Sequence, residues 1–331
     1  MTVLDIADHL GIGETSVRRR ARKLKLTEKH KIDEKHRKEK VKEEQKKVKL
    51  EAKKKIKEWG LLNKPILFKD PPYKDTYVFD IETSPYWGTY YDEWKVGNIV
   101  WREKDSFIMS FAITELNSGK VKVFALPDYK EWKEGFCKHC KHLDSDNIDE
   151  SLIKDLWEYF NKSITLIGHN IDRFDIRRVN ARFLKYGLTP PSPYQTIDTY
   201  KKHKQVADSG GNSLNNITQY YKIGKKLETE KNIARKCLEG DMQAWEQFKK
   251  YNTQDVVINE KLFLKERGWY KNIPNMNLQQ GTLFNCSKCG SEHMKKENYF
   301  KTKVVIYEAW NCLNCGGWSQ GDRVMRDRPL R

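Results

Sequence analysis

The chain has 331 residues, 38% hydrophobic and 12% aromatic, enough to bury one substantial core with small appendages, and its formal net charge is +17. Its apolar runs are only a few residues long, which excludes a bilayer-spanning helix, and the opening MTVLDIADHLGIGE puts acidic residues where a secretory signal needs a basic flank. The expectation is a cytoplasmic protein with no membrane partner, drawn by its charge to a polyanion.

Residues 1–26 read as two short helices around a tight turn. Ala7, Gly11 and Val17 fall at the offsets of a helix-turn-helix, where a small residue and a turn glycine let the helices pack closely. The second helix is predicted from Glu14 to Leu24 and carries Arg18, Arg19, Arg20 and Arg22 as candidate nucleic-acid contacts. No third helix is identifiable, and a plain helical hairpin without base readout is the alternative.

Residues 27–60 are a basic charged linker. From Arg18 to Lys57 there are 20 Lys/Arg against 7 Asp/Glu, which places 13 of the 17 net positive charges in one segment. Pairs such as Asp33/Arg37, Glu43/Lys47 and Glu51/Lys55 favour a helix, while Val41, Val48 and Ile56 are too sparse for a coiled coil. Such an arm gains affinity for phosphates by releasing counterions; a solvated tether is the alternative.

The main domain is expected over 61–272. TYVFDIET, SFIMSFAITEL and KVKVFALP look like successive strands. A helix is predicted over Ser151–Phe160, then a strand at TLIGHN, a helix through FDIRRVNARFLKYG, a further strand at TIDTY, a helix at SLNNITQYYKIG, and helix from Lys231 to Lys265 broken near Gly240. Tyr129–Asn147 reads as an irregular polar insertion. Strands first, then alternating strands and helices, describe an α/β mixed sheet flanked by helices.

Three acidic motifs stand out. Asp80 and Glu82 in FDIET are two apart on a predicted strand, so both carboxylates leave one face of the sheet. Asp175 in NIDRFD opens a helix just after a strand, where α/β proteins build sites; helix capping is the plainer alternative. Tyr251 and Asp255 in YNTQD are four apart, one turn along a helix. Two unit charges about 4 Å apart repel by roughly 4 kcal/mol at an effective dielectric of 20, so such a group needs a positive partner. Divalent cations fill that role and suit phosphodiester chemistry.

In this order, FDIET, NIDRFD and YNTQD resemble the three motifs of the DnaQ-like 3′–5′ exonucleases, in the branch whose third motif is Tyr-x-x-x-Asp. The resemblance spans about Tyr73 to Arg267 and extends, through IGHNIDRFDIRRVNARFLKYGL, to free-standing phage and bacterial members, some with a C-terminal zinc ribbon. It implies a ribonuclease H-like fold and two Mg²⁺ or Mn²⁺ ions held by Asp80, Glu82, Asp175 and Asp255. It also implies a water positioned by Tyr251, a terminal nucleotide contacted by Asn170, and release of nucleoside 5′-monophosphates from a DNA 3′ end in replication or repair. Asp172 is a neighbour rather than the motif residue, His169 is not the histidine of the sister branch, and Asp198 is read as structural or as a support just behind the ligands. No polymerase segment is apparent, so any proofreading would serve a polymerase or other replication proteins in trans.

Residues 273–331 form a further module. Cys286 and Cys289, then Cys312 and Cys315, make two C-x-x-C-G knuckles suited to a closed, structural Zn²⁺ site, with disulfides as the alternative. Lys295, Lys296, Tyr299, Lys301, Lys303, Tyr307 and Trp310 mix charge with aromatic faces, which suits single strands. Cys137, His139, Cys140 and His142 are candidates for a second zinc, although four ligands within six residues would be cramped. Two other functions stay open on sequence alone: an exonuclease acting on RNA, and a nucleic-acid-binding adaptor with an inactive nuclease core.

Overall fold

The computed structural model describes residues 5, 8, 9, 11–23, 73–89, 101–137, 142, 143, 147–279 and 284–324. The chain divides into two compact units, Met1–Ile66 and Leu67–Arg331. In the first, α1 (Glu14–Lys23) follows Gly11, whose φ of 60° makes the turn the sequence anticipates. Val17 is buried, Arg18 Nε donates to Glu14 Oε1 at 3.0 Å, Arg19 and Arg20 are exposed, and Arg22 lies in the last turn. Most of the first helix of the hairpin and all of the 27–60 arm fall outside the described residues.

The second unit runs β1 (Thr76–Thr83), β2 (Trp87–Thr89), β3 (Trp101–Lys104), β4 (Ile108–Glu115), β5 (Lys122–Ala125), α2 (Lys130–Gly135), β6 (Phe136–Cys137) and β7 (His142–Leu143). It continues with α3 (Glu150–Lys162), β8 (Thr165–Gly168), α4 (Asp175–Lys185), β9 (Gln195–Asp198), α5 (Thr199–Val206), α6 (Leu214–Tyr220), α7 (Ile233–Leu238) and α8 (Met242–Glu266). It ends in β10 (Met294–Lys301), β11 (Ile306–Cys312) and β12 (Trp318–Arg323).

The main sheet has the order β5-β4-β1-β8-β9. β5 and β4 run antiparallel to their neighbours, and β1, β8 and β9 are parallel, so the expected mixed sheet is present with β1 at its centre. Alternation along β1 divides its side chains between two cores. Phe79 and Ile81 join the larger core with Leu152, Leu156 and Phe160 of α3 and Val179 and Phe183 of α4. Val78 joins Ala112, Ile167 and Val256 in the core beneath α8, and Asp80 and Glu82 share its parity. α8 begins where expected: Gly240 takes φ 87°, and Asp241 caps the helix by accepting the N–H groups of Gln243 and Ala244 at 2.8 and 3.1 Å.

Two local expectations are corrected. Tyr129–Asn147 is not wholly irregular, because Trp132 on α2 is buried edge-on against Trp245 at 5.2 Å between ring centroids. TIDTY stops being strand at Asp198, whose side chain caps α5 by accepting Lys201 N–H at 3.2 Å. The cysteine-bearing sheet β10-β11-β12 falls within the Leu67–Arg331 unit. Tyr73 Oη donates to Cys289 O at 3.0 Å and accepts from Arg267 at 2.7 Å, and Lys288 Nζ donates to Tyr270 O at 2.6 Å.

Candidate active site

The site lies where β1 runs past its parallel partner. β8 pairs with β1 only over Thr76–Val78, so the next N–H groups of β1 need another acceptor. Asp175, at the start of α4 and buried, supplies it: Oδ1 accepts the N–H of Ile81 at 3.3 Å. The carboxylate is thereby held beside the backbone that joins Asp80 to Glu82.

Asp80 and Glu82 are half-buried, and Asp255 reaches them from the middle of α8, where it is buried. One oxygen from each of these three residues lies within 4.8 Å of the others. Asp175 stands outside this tight trio but close enough to repel Asp80.

Two residues complete the site that sequence reasoning did not single out. Lys226 Nζ lies 2.5 Å from Asp255 Oδ2 and 3.2 Å from Tyr251 Oη. Its segment is fixed by α6 and α8: Asn215 Oδ1 accepts Lys226 N–H at 3.0 Å, and Gln254 Nε2 donates to Lys225 O at 3.2 Å. In so lysine-rich a chain nothing marks this lysine. Asn252, fully buried, donates to Asp80 Oδ2 at 2.8 Å. It stands inside the YNTQD motif, three before Asp255 and on the same helix face, which is the signal that could have found it.

Without a cation the cluster holds protons. Loss of water, then repulsion from Asp175, Glu82 and Asp255, drives Asp80 well above the ordinary carboxylate range. Burial, then Asp255, pushes Glu82 up to about 8, and burial pushes Asp175 up to about 7. Asp255 is raised by burial against the opposing pull of Lys226. Asp255 Oδ1 is buried without a hydrogen-bond partner. Converging carboxylates and a buried oxygen without a partner fit a hard divalent cation. Tyr251, pushed by burial to about 12, keeps its hydroxyl proton.

Around the acids, Arg178 of α4 lies over the ring of Phe174 at 4.4 Å and of Tyr86 at 5.8 Å, and both rings are exposed. Asn170 takes φ 62° in the turn after β8, and its N–H donates to Asp198 Oδ1 at 3.0 Å. Asp198 therefore braces the turn and α5. His169 is tied to Thr199 Oγ1 and Asn212 O, each at 3.0 Å, and burial depresses it to about 4. Lys201 takes up Asp172 at 2.8 Å.

In the C-terminal sheet, Sγ atoms of Cys286, Cys289, Cys312 and Cys315 all lie within 4.8 Å of one another. The Cys286–Cys315 and Cys289–Cys312 separations of 3.6 Å are too long for disulfides. They are close to the edge of about 3.8 Å that a tetrahedron with Zn–S bonds of about 2.3 Å requires. Gly290 and Gly316, at φ 66° and 72°, make the two knuckle turns, and Lys288 N–H and Gly317 N–H donate to Cys286 and Cys315 sulfur at 3.3 and 3.4 Å. The candidate second zinc site of Cys137, His139, Cys140 and His142 lies outside the residues whose side chains are described.

No helix among the described residues is long and apolar enough to cross a membrane. No curated protein matches the chain. A solved structure of the family B DNA polymerase from the hyperthermophilic archaeon Pyrobaculum calidifontis is similar at 14% identity and a TM-score of 0.38, over 71% of this chain and 31% of that one. The chain thus spans less than a third of that polymerase's length. Residues 113–265 match a family model, RNase_H_2, described as RNase_H superfamily. That stretch runs from β4 through α8 and includes Asp175, Tyr251 and Asp255. Together with the mixed sheet flanked by helices, the match supports a ribonuclease H-like fold over this stretch.

Proposed function

We propose that this protein is a metal-dependent 3′–5′ exonuclease that removes nucleoside 5′-monophosphates from single-stranded or frayed DNA ends. The observation that carries this reading is the meeting of Asp80, Glu82 and Asp255 oxygens within 4.8 Å beside Tyr251, with Asp255 Oδ1 lacking a partner. The direction and the preference for DNA rest on the order of the three motifs.

Asp80, Glu82 and Asp255 would hold one divalent cation, and Asp80 would share a second with Asp175. Two Mg²⁺ or Mn²⁺ ions at such a site would supply Lewis-acid stabilisation of the phosphate and activation of water. Tyr251 keeps its proton at neutral pH, so it orients the attacking water by hydrogen bonding instead of removing its proton. Lys226, 3.2 Å from the Tyr251 hydroxyl, adds positive charge where an anionic phosphodiester must approach. Exposed Tyr86 and Phe174 offer stacking faces for bases, Arg178 between them suits the backbone, and Asn170 stands in the adjoining turn.

The four cysteines would hold one Zn²⁺, closed by thiolates and therefore structural. Arg18, Arg19, Arg20 and Arg22, with the basic arm, would add affinity for the polyanion without reading sequence. Work in replication or repair, with a polymerase or other proteins in trans, follows from the resemblance alone.

The test uses 5′-labelled single-stranded DNA and RNA with Mg²⁺, Mn²⁺ or EDTA, beside an Asp80→Ala/Glu82→Ala variant. A DNA ladder shortening from the 3′ end, absent in EDTA and in the variant, supports the reading. Shortening confined to RNA would change the substrate, and tight binding without shortening would replace the enzyme by an adaptor.

A further inference from the structure

The carboxylates of Asp80 and Asp255 are oriented by opposite means. Asp255 is held by a cation, Lys226, whereas Asp80 is held by a neutral amide. Asn252 is 0% exposed and its polar atoms are engaged in one direction. Nδ2 donates to Asp80 Oδ2 at 2.8 Å and approaches Asp80 O at 3.4 Å, while Oδ1 accepts from Ser110 Oγ at 3.1 Å. Ser110 is also 0% exposed and stands opposite Glu82 in the β1–β4 register. Ala112 stands opposite Asp80, and these two small residues leave room for α8 to bring Asn252 down onto the strand.

A buried asparagine beneath a packed helix is costly unless every polar atom is satisfied, and here the carboxylate and the serine satisfy it. An ionised carboxylate can only accept, so Asp80 turns the amide N–H groups toward itself, and the Ser110 hydroxyl anchors the far end of the amide by donating to Oδ1. A lysine in this place would compete with a cation for the carboxylate; an amide fixes its rotamer and adds no charge of its own.

We propose that Asn252 is a positioning residue that locks Asp80 for cation binding, with Ser110 anchoring the far end of its amide. This rests on the reading of Asp80 as a metal ligand. Groups that orient metal ligands in this way cost roughly 10–100-fold in affinity when removed.

The experiment is a Mn²⁺ titration of the full-length chain by EPR, repeated for Asn252→Ala, Ser110→Ala, the double variant and Asp80→Asn, with turnover measured against Mn²⁺ concentration. Asn252→Ala is expected to weaken Mn²⁺ binding about 10-fold or more. It should lower kcat at limiting Mn²⁺, recover at high Mn²⁺, and leave KM for the DNA strand unchanged. Ser110→Ala should move the same quantities in the same direction, and the double variant should be no worse than Asn252→Ala, because the two residues act as one unit. A folded Asn252→Ala protein that binds Mn²⁺ within twofold of the parent overturns the proposal. If Asn252→Ala fails to fold, unchanged Mn²⁺ affinity in Ser110→Ala overturns it instead. If Asp80→Asn also binds Mn²⁺ like the parent, the metal-site reading falls together with the proposal, which separates the two failures.

Discussion

Lys226 meets Asp255 as a salt bridge at 2.5 Å, with Asp255 2% exposed and the lysine side chain 32% exposed. The loop cation thus answers, in the cation-free protein, part of the repulsion that sequence reasoning assigned wholly to metal ions. Breaking a buried pair costs about 3–5 kcal/mol, and solvent access to the lysine reduces this to roughly 1–2 kcal/mol. Lys226→Met is expected to melt several degrees lower in EDTA, with the gap narrowing in Mn²⁺, and to turn over DNA at least roughly tenfold more slowly, in line with loss of one charge-stabilising donor. Equal melting temperatures in EDTA would contradict the role given to the pair.

Stability should depend on pH in an unusual direction. Free carboxyl groups titrate near 4, whereas Glu82 is pushed to about 8 and Asp175 to about 7 in the folded protein. Between those values the folded chain keeps protons that the unfolded chain has released, so stability falls as pH rises from about 4.5 to about 8. A divalent cation requires the ionised form and reverses the trend. Thermal melts in EDTA should fall across this window, and stabilisation by Mn²⁺ should grow across it. A cation effect of equal size at both ends, or one retained in Asp255→Asn, would contradict the site.

The cysteine sheet should be sensitive to its seat on the core. A Cβ at Gly268 would lie 2.1 Å from Cys315 O, which is backbone and cannot swing aside. Gly268→Ala is therefore expected to destabilise the chain by about 1–3 kcal/mol, the usual range for overpacking. It should also open residues 273–331 to proteolysis, and Tyr73→Phe, which removes the donor to Cys289 O, should show a weaker form of the same effect. Unchanged urea midpoints for Gly268→Ala would reject this docking.

Metal analysis should find one zinc per chain after purification without chelators. Cys312→Ser should abolish it and unfold the β10–β12 sheet, since structural zinc contributes on the order of 10 kcal/mol to so small a module. Chelation by EDTA too brief to extract zinc should stop nuclease turnover while leaving this sheet folded. Zinc retained in Cys312→Ser would place the metal elsewhere.

Much of the fold was legible because burial writes itself into alternation. TYVFDIET appears as β1 over Thr76–Thr83, and the helix break at Gly240 appears where its positive φ demands it. Local pattern failed where the partner is distant. Tyr73 and Cys289 are 216 residues apart, so docking of the cysteine sheet leaves no local trace. α5 was missed because the β-branched run TIDT outweighs the helix that Asp198 caps. In the site, carboxylates at strand-end and helix spacing were readable as types, whereas Lys226 is one lysine among many. Asn252 acquires its role only through the packing of α8 on β1, which brings it to Asp80 across 172 residues of sequence.

The most direct measurement is anomalous diffraction at the manganese edge from crystals soaked in Mn²⁺. We expect density contacted by Asp80, Glu82 and Asp255, with any second peak shared between Asp80 and Asp175. Crystals that bind Mn²⁺ elsewhere, or leave these carboxylates without a cation at saturating Mn²⁺, would contradict the proposed nuclease centre.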